Sequence, residues 1–152
     1  MTTLLNIQNI FNIFHDGTIE TWNGDKSKLT LKISCLYLAQ RINKSYEYFY
    51  LELINIDTIT LNPWTIPIDA QDIIKTNLQE IFETELEILN AEIENGSVEI
   101  SVAQSNSNIN YSGGILTLNC QEIKIYDHQK VLINLEYLED ICNQYWDGFG
   151  KK

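Results

Sequence analysis

Two histidines are the first residues whose chemistry calls for a reading. They are His15 and His128, each beside an aspartate, as His15-Asp16 and Asp127-His128. A general base needs its orienting carboxylate within hydrogen-bond reach. Neighbouring residues on a strand point to opposite faces, so neither dipeptide is a dyad by itself. His15 reads as a turn residue bonded to backbone, and as a base only if it opens into a ligand pocket. The cysteines Cys35, Cys120 and Cys142 are dispersed, and no C-x-x-C, H-x-x-H or H-E-x-x-H spacing offers a metal site. They read as buried free thiols in a reducing compartment. Serine-nucleophile, phosphate-loop, dinucleotide and calcium-loop signatures are absent. The sequence therefore assigns no catalytic residue, no metal and no cofactor, and it favours a protein without catalysis.

Two groups of residues remain that could bind. From Asp69 to Glu99 the acids are Asp69, Asp72, Glu80, Glu83, Glu85, Glu87, Glu92, Glu94 and Glu99, against the single base Lys75. Asn95-Gly96 demands a tight turn, because both central residues of a type I′ turn take positive φ. A two-residue loop there pairs Ile93 with Val98, Ala91 with Ile100 and Leu89 with Val102. It sets Glu92 directly opposite Glu99, and like charges so placed cost stability. The candidate partner-binding residues are Glu87, Glu92, Glu94 and Glu99, facing a basic protein. The bland reading is a solvated face that blunts an edge strand. The second group is Tyr46, Tyr48 and Tyr50, alternating along one strand face, with Trp64 beyond them. These read as sheet surface under a helix, or as the wall of a small-molecule pocket.

The elements that must carry these groups follow from periodicity. Leu4, Ile7, Phe11 and Phe14 predict a helix over 4–14. Thr18 to Trp22 alternates as a strand, and residues 23–28 turn. Leu29 to Tyr37 alternates as a half-buried antiparallel strand, followed by a polar turn over 41–45. A strand from Tyr46 to Ile54 buries Phe49, Leu51 and Leu53, bulges at 55–57, and resumes at Ile59 and Leu61. Asn62-Pro63-Trp64 and Pro67 are expected to end it. Asp69 caps a predicted helix over 70–83, with Ile74, Leu78 and Phe82 on its stripe. After the 89–102 hairpin and a loop over 105–114, Leu118 and Ile125 require a bulge near Gln121. A helix over 135–147, stopping at Gly148, buries Leu138 and Ile141. The expected core also holds Leu31, Ile33, Ile93 and Ile100.

Strands cluster instead of alternating with helices. The expected fold is one α+β domain over 1–152, a mostly antiparallel sheet with two or three packed helices. The chain has 152 residues, 44% of them hydrophobic, with 10 basic against 21 acidic residues and a formal charge of -11. That balance argues against nucleic acid or an anionic membrane as partner. No apolar run is long enough to span a bilayer, and the N-terminus lacks the features of a secretory signal, so a cytoplasmic protein is expected. Oligomeric state stays open.

Phe14-His15-Asp16-Gly17-Thr18-Ile19, Leu29-Thr30-Leu31-Lys32-Ile33 and the ending Tyr145-Trp146-Asp147 resemble segments of small, uncharacterised bacterial proteins. Some of these accompany polymorphic toxins as immunity proteins. The resemblance is to a group of such families, and it supplies no site residues. It implies a soluble bacterial protein of unknown or inhibitor-like function.

Overall fold

In the computed structural model the described residues are 2–65 and 74–150. The elements in order are α1 (Leu4–Ile13), β1 (Thr18–Gly24), β2 (Lys28–Ser34), α2 (Leu36–Ile42), β3 (Tyr48–Thr65), α3 (Leu78–Ile81), β4 (Leu86–Glu94), β5 (Ser97–Ala103), β6 (Tyr111–Tyr126), β7 (Leu132–Ile133) and α4 (Leu135–Gly150). The fold is α+β, with four helices among the described residues, more than the two or three expected.

All strand pairings are antiparallel. The order is β3-β2-β1-β4-β5-β6-β7, and β3 also pairs with β6. Six strands thus close a circuit, and β7 is added to the outer edge of β6. Closure removes free edges and makes one inner face. Leu29, Leu31 and Ile33, Phe49, Leu51 and Leu53, Val98, Ile100 and Val102, and Leu116 and Leu118 fill that face. Gly113 and Gly114 let strands crowd where β6 passes between β5 and β3. A Cβ on Gly113 would stand 2.2 Å from the Val102 carbonyl oxygen, and one on Gly114 2.5 Å from that of Asn62.

The circuit has one thin seam. β1 and β4 pair directly only at Thr18–Glu87 and Ile19–Leu86. The ladder continues through Asp16 N to Ile88 O and Ile88 N to Gly17 O, both 2.8 Å. Beyond that, α1 replaces the missing strand with side chains. Asn12 Nδ2 donates to Ala91 O at 3.0 Å, and Asn12 Oδ1 accepts from Ala91 N at 2.8 Å. Gln8 Oε1 accepts from Ile93 N at 3.0 Å. Backbone groups that lack a ladder partner need such substitutes. The outer edge of β6 is patched similarly: Thr2 N donates to Gln121 O, and Thr2 Oγ1 accepts from Ile123 N. Ile7, Ile10, Phe11 and Phe14 meanwhile bury the other side of α1.

Several expectations need correction. Leu36 to Ile42 is a helix, not a strand end and turn, with Leu38 and Ala39 buried. Leu, Ala, Gln and Arg are good helix formers, and the alternation of 29–37 stops at Ser34. β3 runs through Pro63 to Thr65. Leu61 N bonds Lys75 O, on the edge away from β6. Pro63 shares that orientation, where β2 no longer flanks β3, so the missing N–H breaks no ladder. Of the helix expected over 70–83, the described residues from 74 on are helical only at Leu78–Ile81; Lys75 is bridged to Leu61, and Ile74 is 54% exposed. Asp69, Asp72, Ile73 and Pro67 lie outside the described residues. α4 continues past Gly148 to Gly150.

The hairpin turns at Asn95-Gly96, with φ of 51° and 78°. Ile93 pairs with Val98, Ala91 with Ile100 and Glu92 with Glu99, as its register requires. Val102 pairs with Ile88, not Leu89, because the register shifts between Ile88 and Asn90. Ile93, expected in the core, is 39% exposed. It lies one residue before the turn segment, beyond the packed part of the inner face. The inward parity of β6 changes between Cys120 and Ile123, leaving Gln121 exposed. The register shift falls on the partner strand, between Ile56 and Thr58.

Candidate binding site

The β4 register shift decides where the acids go. Under strict alternation Glu87 would share the inward parity of Ala91. The extra residue at Leu89 puts Glu87, Glu92 and Glu94 all on the exposed face. Glu99 joins them from β5, half-buried and directly opposite Glu92. Beside the base of β4 is a depression of about 410 Å³ lined by Glu20, Phe82, Glu83, Thr84, Glu85, Ser105 and Asn106. Lys75 Nζ reaches Glu83 at 3.5 Å. This surface is concave, acidic and next to the hairpin.

Tyr48 and Tyr50 lie on the outer face of β3, with Tyr46 just before it, and the neighbouring strands form a grid around them. Lys32, Tyr50 and Tyr126 are aligned across β2, β3 and β6; Thr30, Glu52 and Lys124 make the next row. No single platform results. The imidazole of His128 lies nearly parallel to Tyr46 and Tyr48, with centroids 5.1 and 5.5 Å away. His128 Nδ1 accepts from Glu47 N at 3.0 Å and Tyr48 N at 3.3 Å, so its ring proton belongs on Nε2. Lys32 Nζ sits 3.9 Å from the Tyr48 centroid. Tyr46 and Tyr48 are thus engaged by the chain itself. Tyr50 opens into a cavity of about 280 Å³ lined by Thr30, Tyr50, Glu52, Tyr126 and Lys130. Lys130 Nζ is 5.1 Å from the Tyr50 centroid. Trp64 is not brought here; 45% exposed, it is roughly 45 Å of strand from Tyr50.

Sequence reasoning did not find Tyr126, Lys130 or His128 for this face. The outward parity of Tyr126 was the available signal. Asp127 is buried, and its Oδ1 accepts from Gln129 N at 2.9 Å and Val131 N at 3.0 Å. That side chain shapes the β6–β7 turn and orients no histidine.

His15 lies elsewhere. Its Nδ1 meets Asn12 O at 2.8 Å, and its ring stacks on Trp146 at 5.7 Å. Tyr37 joins this cluster and donates its hydroxyl to the Ile13 and His15 carbonyls, at 3.2 and 3.0 Å. His15 does not line the Tyr50 cavity, so the condition for a base there is unmet. Burial pushes the Cys35 thiol up to about 12 and the Cys120 thiol to about 11. Burial also raises Cys142, against the opposing effect of Trp146. None is a ready thiolate at neutral pH. No metal-capable cluster occurs among the described residues, and no described helix is long and apolar enough to cross a membrane. Comparison with protein-family models, with curated proteins and with solved structures finds no match to the chain.

Proposed function

We propose that this is a non-catalytic, cytoplasmic bacterial binding protein of the immunity or inhibitor kind, and that its acidic hairpin face engages a basic protein. The observation that carries the reading is Glu92 opposite Glu99, with Glu87 and Glu94 on the same exposed face. Facing carboxylates repel, and a partner's Lys or Arg relieves the repulsion. The neighbouring depression with Glu20 and Glu85 offers a slot for a further guanidinium. Exposed Leu89 supplies apolar contact area beside the charges. The test is association kinetics with a stoichiometric Lys/Arg-rich protein co-purified from the host at low salt. The association rate is expected to fall at least tenfold between low and physiological ionic strength, where the Debye length is about 8 Å. A rate indifferent to salt, or no stoichiometric basic protein, contradicts the reading.

A second reading is a small-molecule-binding protein, with enzymatic use as an extension. The Tyr50 cavity favours it.

A further inference from the structure

We propose that the Tyr50 cavity binds a small molecule combining a planar ring with a phosphate or carboxylate. This rests on the second reading above and names the chemistry of its ligand. The ring requirement comes from the floor. Tyr50 and Tyr126 are cross-strand partners and both line the cavity, whereas Tyr46 and Tyr48 already stack on His128. A volume of about 280 Å³ is close to the lower end of ligand pockets, roughly 300 Å³, and suits one ring with a short substituent.

The charge requirement comes from where the cations are. The chain carries -11 and has 10 basic residues. Lys28, Lys32 and Lys124 sit on the outward grid of β2 and β6 around Tyr50 and Glu52, and Lys130 reaches over Tyr50 from the β6–β7 turn. Glu52 is the carboxylate in the lining, and Lys28 Nζ approaches it at 3.6 Å. An anion is repelled by the acidic hairpin face and attracted here.

The backbone that carries the cation over the ring is held in place. Lys130 N donates to Asp127 O at 2.9 Å, its φ is 63°, and the Asp127 carboxylate ties the turn on both sides of it. A ring entering over Tyr126 meets the Lys130 ammonium at its edge, where an anionic substituent completes the pair. Thr30 adds a hydroxyl to the lining.

The experiment is calorimetric titration with phenyl phosphate and benzoate, against their uncharged counterparts phenol and benzamide, with inorganic phosphate as the anion without a ring. Tyrosine-ring NMR shifts locate the binding. Expected are shifts at Tyr50 and Tyr126, at least one planar anion binding about tenfold or more tighter than its uncharged counterpart, and weaker binding of phosphate. Lys130→Met should remove about tenfold of that affinity while thermal unfolding stays unchanged. If the uncharged rings bind as tightly as the anions, or Lys130→Met binds like the parent, the anionic inference falls and the pocket reading stands. If no probe shifts Tyr50 or Tyr126, both fall.

Discussion

Cys35 has a thiol that its surroundings forbid to ionise. It is buried in the shared core, and its folded value of about 12 compares with 9.0 for a free thiol. Cys120 behaves alike, at about 11. The sign follows from proton counting. Between pH 9 and these values the unfolded thiols have lost their protons and the folded ones have not. Stability is therefore full below about pH 9 and declines as pH rises from there. Chemical denaturation across this range should show the midpoint falling above pH 9, and Cys35→Ala should flatten the fall. Thiol labelling of the native protein should reach half-buried Cys142 before Cys35 or Cys120. Labelling of Cys35 at the rate of Cys142 would contradict this burial.

The elements depend on the seam between β1 and β4. Helix α1 closes it with two side-chain amides: Asn12 both donates to and accepts from Ala91, and Gln8 accepts from Ile93 N. Asn12→Ala leaves both backbone groups without partners and should cost about 2–4 kcal/mol, at roughly 1–2 kcal/mol for each. Denaturant titration measures the loss, and hydrogen exchange should show the Ala91 amide opening first. Asn12→Asp keeps the acceptor but sets a carboxylate against Ala91 O, so it should rescue little. The register of the hairpin tip was legible in the sequence, because Asn95-Gly96 fixes a turn and a period of two does the rest. Helix α1 was legible from its stripe. The shift at Leu89 was not, because it answers to Ile88, whose N–H and C=O are held by Gly17 and Asp16. Helix α2 was hidden because Tyr37 extends the alternation of β2 by accident. The stripe of Ile74, Leu78 and Phe82 misled because Lys75 finds a strand partner in Leu61 instead.

At the scale of the whole molecule the charges separate. Acid gathers on the β4–β5 face, and Lys32, Lys124 and Lys130 lie around Tyr50 on the outer face of β2, β3 and β6, with Lys28 further along on Glu52. The acidic face was largely legible, since a local turn places Glu92 against Glu99. The tyrosine cavity was not, since Tyr50 and Tyr126 meet only through a pairing distant in sequence, and Lys130 arrives on a turn shaped by Asp127. No other feature separates the proposed partner surface from a merely solvated one as cleanly as its sign. Glu92→Lys with Glu99→Lys reverses that sign and keeps a like-charge pair across the hairpin. The fold therefore pays much the same electrostatic cost as before, on the order of a few tenths of a kcal/mol to 1 kcal/mol. The decisive measurement is capture of the stoichiometric basic partner at low salt by parent and double variant, each first shown to unfold at the same temperature. Loss of the partner, with the association rate down at least tenfold, is the predicted result. Equal capture at an equal rate would contradict the account and leave the hairpin as a solvated face.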